Sequence, residues 1–229
     1  MNLRTLSAEI VACRRCPRLA EYRERVAREK RRAYRDWEYW GRALPGFGDR
    51  AARLLVIGLA PAAHGGNRTG RMFTGDRSGD WLYGTLYRFG FANQPTSTQR
   101  GDGLRLNGAY VTAAARCAPP DNKPTRLELR NCQPYLEREM ELLRQVRVVV
   151  ALGRIAFDAY LSARQALGLP ILQPRPQFRH GAVYELSDVA LIGSYHPSQR
   201  NTQTGMLTHA MFDRVFAAAR RRLDNFEAP

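Results

Sequence analysis

Four cysteines, Cys13, Cys16, Cys117 and Cys132, carry the clearest chemistry in this 229-residue chain. Cys13-Arg14-Arg15-Cys16 is a C-x2-C turn, in which two thiolates can face one metal. Cys117 and Cys132 form no second such knuckle, as a zinc ribbon would require. An even cysteine count without an export signal argues for metal ligation before disulfides. Pro17 follows Cys16, and Cys117 leads into Ala118-Pro119-Pro120. Prolines beside the ligands stiffen the chain and remove backbone donors, a habit of many iron–sulfur sites. Arg14, Arg15 and Arg116 would help keep the thiolates charged. A metal site is expected, with iron–sulfur favoured over zinc; four inert buried thiols are the bland alternative.

Two further stretches combine reactive residue types with glycine and proline. Residues 58–76 run Gly58-Leu59-Ala60-Pro61-Ala62-Ala63-His64-Gly65-Gly66-Asn67-Arg68-Thr69-Gly70-Arg71-Met72-Phe73-Thr74-Gly75-Asp76. Such a loop suits close backbone approach and exposed N–H groups. It is neither a Walker loop nor a dinucleotide fingerprint. Ser194-Tyr195-His196-Pro197-Ser198-Gln199-Arg200-Asn201 places a histidine before a proline. His196 there can donate a hydrogen bond to a developing anion or transfer a proton. The polar tip after it can reach DNA.

The elements that must position these residues follow from hydrophobic patterning. Residues 53–59, 109–114, 147–152 and 189–194 are near-continuously apolar, as strands buried on both faces should be. Helical patterns fall at 80–89, 125–145, 155–167 and 206–223, with Pro134 expected to break or bend the second. This alternation predicts an α/β fold with a parallel sheet covered on both sides, and His196 and the 58–76 loop at its carboxyl edge. Residues 17–35 read as a helix with proline in its first turn; Leu19, Tyr22, Val26 and Ala33 form its apolar stripe. Arginines 18, 25, 28, 31, 32 and 35 lie opposite, a solvated face that as a whole can lie near phosphates. Residues 94–106 and 170–180 read as loops, and Trp37, Tyr39 and Trp40 as packing anchors.

Composition narrows the partner. Lys plus Arg is 36 against 21 Asp plus Glu, a formal charge of +15, and only Lys30 and Lys123 are lysines. An excess this large points to a polyanion. The longest apolar runs, such as Val148 to Leu152, are far short of the roughly 20 residues a membrane span needs. No signal peptide is visible, so a secreted or membrane-spanning protein is not expected.

Taken together, Gly58-Leu59-Ala60-Pro61, Asn67-Arg68-Thr69-Gly70 through Phe73-Thr74-Gly75-Asp76, Ala115-Arg116-Cys117-Ala118-Pro119-Pro120 and Ser194-Tyr195-His196-Pro197-Ser198 resemble the family 5 uracil-DNA glycosylases (UDGb) over nearly the whole chain. The resemblance implies a single domain over residues 1–229, a three-layer α/β/α sandwich around a four-stranded parallel sheet. It also implies a [4Fe-4S] cluster on Cys13, Cys16, Cys117 and Cys132, which ties in an N-terminal Arg-rich arm of about residues 1–50. By the same resemblance Ala60, Ala63, Phe73 and Asn122 bind the substrate base, with Phe73 stacking on it. His64, Arg68, Ser198, Gln199, Arg200 and Asn201 face DNA. Core packing is the competing reading for Phe73, and turn formation for Asn122.

The sequence departs from better-known relatives in two places. Leu59 and Ala60 stand where those carry an acid or amide that holds the attacking water, and Ala113 where a related family carries a uracil-reading Asn. A roomier pocket that also takes hypoxanthine is the implication. Asp76, three residues after Phe73, is then a candidate to orient water and steady the sugar cation, with helix capping its competing role. The expected enzyme is a monomeric, monofunctional glycosylase of base-excision repair, cytoplasmic and nucleoid-associated, acting on double-stranded DNA with a damaged base. A non-catalytic iron–sulfur nucleic-acid-binding protein and a zinc-stabilised hydrolase are the alternatives.

Overall fold

A computed structural model describes residues 2–226. Its centre is a sheet of β1 (Phe47–Gly48), β2 (Leu54–Gly58), β3 (Ala109–Ala113), β4 (Val148–Leu152), β5 (Val183–Glu185) and β6 (Ala190–Ser194), in the order β1-β3-β2-β4-β6-β5. The inner four strands are parallel, and every residue in them is buried. The sheet therefore has six strands rather than the expected four. The additions, β1 and β5, are short antiparallel edges. Neither is fully buried, so neither shows the continuous apolar run that marks a two-sided strand.

Alternate residues of the parallel strands feed two cores. Val56, Val111, Val150 and Ile192 pack with Leu82 and Leu86 of α4 (Arg77–Arg88) and with Phe212 and Phe216 of α8 (His209–Asn225). Leu55, Ile57, Val149 and Leu191 face Leu136 of α5 (Arg126–Leu142) and Phe157 and Leu161 of α6 (Arg154–Ala166). Each fully buried Phe or Leu contributes about 1.5–3 kcal/mol relative to exposure. Together the three layers make the expected α/β/α sandwich.

Pro134 does not break α5, which runs through it from a Thr125–Glu128 capping box. The box satisfies donors at the helix start, and flanking turns carry the helix past the one missing N–H.

The N-terminal arm holds two helices, α1 (Leu3–Ala12) and α2 (Pro17–Glu29). Here α2 ends six residues before the expected 35, where Lys30 adopts φ +52° and a 3₁₀ turn, Arg32–Tyr34, follows. Leu6, Ile10 and Leu19 join Ala43, Cys117 and Tyr135 in a third core beside Cys13 and Cys16. Short helices α3 (Gly66–Thr69) and α7 (Gln199–Gln203) sit in the two site loops.

Candidate active site and cysteine cavity

At the carboxyl edge of the sheet, β2 ends on Gly58 and β6 leads into His196. The Phe73 ring lies directly over Gly58: a Cβ there would stand 2.5 Å from Phe73 Cζ. Phe73 takes φ +52°, an outlier for a bulky side chain, and so marks a held conformation. Gly79 makes the turn possible, since a Cβ on it would lie 1.9 Å from the Phe73 carbonyl oxygen. Phe73 also packs in the core on that side of the sheet.

His196 faces that ring with centroids 5.7 Å apart and planes 27° apart. Its carbonyl accepts from the Ser198 backbone N–H at 2.8 Å and from Asn201 Nδ2 at 2.9 Å, which fixes the loop. Desolvation draws the imidazole pKa down to about 4. It is therefore neutral at physiological pH, with one N–H to donate.

Asp76 caps α4, with Oδ1 accepting from the Gly79 N–H at 3.0 Å. The other oxygen is turned toward Gly65, where a Cβ would stand 2.0 Å from Oδ2. Burial raises the Asp76 pKa, and the Gly79 and Ser78 N–H groups oppose that rise. One carboxylate oxygen thus caps the helix while the other faces Gly65.

The remaining expected site residues divide. Ala60 and Ala63 are half-buried. Gln199 and Arg200 are exposed at the start of α7, and Ser198 is its cap, accepting from the Asn201 N–H at 3.3 Å. Asn201 Nδ2 donates to the His196 carbonyl and so also braces that loop. Arg68 is buried rather than a surface cation. It is 4% exposed, with its guanidinium packed against the Tyr34 and Trp37 rings at 4.0 and 4.1 Å and bonded to the His64 and Gly75 carbonyls. Aromatic faces and carbonyls compensate the buried cation. His64 Nδ1 meets Tyr39 Oη at 3.0 Å, and desolvation with Arg31 and Arg68 keeps its pKa low. Asn122 is exposed with φ +56°, on a turn whose Lys123 carbonyl accepts from Arg18 at 3.1 Å. That conformation is one Asn tolerates readily.

All four cysteines line one small cavity, together with Arg23, Arg116 and Asn131. Cys13 follows α1, Cys16 precedes α2, Cys117 follows β3, and Cys132 lies in α5. Arg23 Nη1 donates to Cys117 Sγ at 2.8 Å, and Asn131 Nδ2 to Cys16 Sγ at 3.4 Å. Arg23 is 2% exposed, the inward residue of α2 that a reading of arginines as surface residues misses. Its Nε, and Nε of the cavity-lining Arg116, are buried without a hydrogen-bond partner. Arg116 is otherwise paired with Glu139 at 2.7 Å. Burial pushes the Cys117 thiol up to about 12 and raises that of Cys132 as well. Among the described residues, no three His, Cys, Asp or Glu side chains stand close enough to share one metal ion.

Residues 45–220, which include β2, Phe73 and His196, match the family model of the Uracil DNA glycosylase superfamily. The chain belongs to that superfamily. Type-5 relatives share about half of its residues, and a type-4 relative shares fewer. It is 53% identical over 213 residues to a type-5 uracil-DNA glycosylase of Thermus thermophilus, covering 93% of this chain and 94% of that one. With a type-5 enzyme of Mycobacterium bovis the identity is 52% over 218 residues, covering 94% of this chain and 80% of the other. A type-4 uracil-DNA glycosylase of Pyrobaculum aerophilum is 28% identical over 199 residues, 86% of this chain and 84% of that one. Within this superfamily chain, Cys13 and Cys16 fall outside the matched segment and Cys117 and Cys132 inside it. The cavity therefore joins the superfamily core to the arm that precedes it.

Proposed function

We propose that this protein is a monofunctional DNA glycosylase that removes uracil, and other deaminated bases such as hypoxanthine, from double-stranded DNA by hydrolysing the N-glycosidic bond. The stacked Phe73–His196 pair at the carboxyl edge of the sheet carries the reading, beside roughly half-identical relatives named type-5 uracil-DNA glycosylases.

A base must leave the duplex before a protein can work on it, and a flat aromatic floor suits every base. On Phe73 such a base lies beside His196, whose neutral N–H donates to the ring as it departs with the bonding electrons. Gln199 and Arg200, exposed at the head of α7, then fill the vacated stack from the minor groove. Leu59 and Ala60 leave the first-motif wall without a polar discriminator, and Ala113 closes β3 without an amide. That supports tolerance among deaminated bases. The Asp76 oxygen that does not cap α4 would orient the water that captures the sugar. The chain's only lysines, Lys30 and Lys123, belong to neither site loop, so no Schiff base follows at the abasic site.

The cysteine cavity fits a [4Fe-4S] cluster held by Cys13, Cys16, Cys117 and Cys132. Four thiols surround one space, Arg23 and Asn131 donate to two of the sulfurs, and two buried guanidinium N–H groups await an acceptor. A cluster spreads its four ligands wider than one tetrahedral ion does. When bound it supplies a cross-link between the arm and the sheet. No described helix is long and apolar enough to cross a membrane. The monomeric state and a cytoplasmic, nucleoid-associated location belong to the same proposal.

Excision from a panel of duplexes bearing uracil, hypoxanthine, xanthine or a thymine mispair tests it. Release of uracil and hypoxanthine, with the abasic strand left uncut until alkali is added, is the expected pattern. Tight duplex binding with no base released would overturn it.

A further inference from the structure

We propose that the turn carrying Arg31, Arg32 and Arg35 is a clamp for the DNA phosphates that flank the extruded base. The inference rests on the glycosylase reading and adds a contact surface that the two site loops do not supply.

The three arginines are exposed on the 3₁₀ turn that follows Lys30, around a shallow concavity they share with Ala33 and Asp36. The turn is not a loose tail. Tyr34 and Trp37 both pack their rings against the Arg68 guanidinium. Tyr39 Oη accepts from the Arg31 backbone N–H at 3.4 Å and meets His64 Nδ1 at 3.0 Å. The Trp40 and Gly41 N–H groups then donate to the Arg68 and Asn67 carbonyls at 2.9 and 3.1 Å. Arg68, Asn67 and His64 all belong to the loop that carries Phe73. The basic turn is thereby fastened to the base site through several independent contacts.

Charge and chemistry fit a phosphate ligand. Arg68 is buried beside two aromatic rings and bonded to two carbonyls, so the exposed cations of this region are those of the turn. Among the described residues, Arg31 and Arg32 have no carboxylate within ion-pair distance. Arg35 meets only the exposed Asp36, at 3.7 Å, a pair that solvent weakens. Guanidinium forks match phosphate oxygens, and their release of counterions makes binding salt-dependent.

The test is equilibrium binding of the full chain to an undamaged duplex across a salt series. Each phosphate contact adds about 0.9 to the slope of log K against log salt, so three contacts add two to three. Arg31→Gln/Arg32→Gln/Arg35→Gln should lose that much slope and at least about tenfold in affinity near 0.1 M salt. The matching triple Lys variant keeps the charge and should keep most of the slope. Arg144→Gln/Arg221→Gln, on exposed arginines at the opposite end of the sheet, should leave the slope unchanged. If the triple Gln variant melts early, Arg32→Gln alone should still lower the slope by about one. A slope within about half a unit of wild type would overturn the clamp, as would an equal loss in the Arg144/Arg221 control, which would indicate nonspecific charge alone. Because no base is removed in this assay, a chain that binds normally but excises nothing would overturn the glycosylase reading instead.

Discussion

Gly58→Ala tests how the pocket floor is held. Gly58 ends β2 beneath Phe73, and an added Cβ would lie 2.5 Å from Cζ and 2.6 Å from Cε2 of the ring. Carbon atoms rest at about 3.5–4.0 Å, so the ring must retreat by roughly 1 Å. The obstacle is the far end of one side chain rather than backbone, since the next neighbour, the Thr112 carbonyl oxygen, is 3.7 Å away. Stability should therefore fall by only about 1–2 kcal/mol, at the low end for overpacking. Catalysis should suffer more, because Phe73 cannot follow with its backbone. That backbone is fixed at φ +52° above a Gly79 that leaves no room. A misplacement near 1 Å typically costs on the order of a hundredfold in rate. The assay is single-turnover excision from a uracil duplex at saturating enzyme, with a thermal melt of the same preparation. Excision within about threefold of wild type, with the melt lowered, would refute the claim that Phe73 must lie where it does.

Other variants probe separate links. His196 titrates near 4 in the fold, so excision should be flat from pH 6 to 8. Between its folded pKa and about 6.5 the unfolded chain binds the extra proton, so stability should decline as pH falls through that window, by at most about 3 kcal/mol. His196→Gln should remove that part of the decline in acid melts. Asp76→Asn keeps the cap and should hold its melting temperature while losing about a hundredfold in single-turnover excision. Equal rates would leave Asp76 as a cap alone. Cys132→Ala should lose the cluster's visible absorption and much of its solubility; retained iron and colour would break the four-ligand assignment.

The parallel sheet was legible because its strands are buried on both faces and write themselves as unbroken apolar runs. The edge strands β1 and β5 carry no such run, and α1 leaves only Leu3, Leu6 and Ile10 as signal. In the site, Cys117 and Cys132 were readable as partners of the C-x2-C turn by residue type alone. Arg23, Arg68 and Asn201 were not. An arginine's type says surface, and only the fold reveals that one donates to a cysteine sulfur and another packs against two aromatic rings. Phe73 was read as either stacking or core; its strained backbone lays the ring across the end of β2, where it packs in the core, and stacking on a base is the role proposed for it.

The central claim is that this chain excises a base through a neutral histidine set against an aromatic floor. Single-turnover excision by His196→Ala on a uracil duplex, with binding measured in parallel, tests it most directly. Loss of one transition-state donor should lower the rate by about a hundred- to a thousandfold while duplex affinity holds. A His196→Ala enzyme within a few-fold of wild type would contradict it.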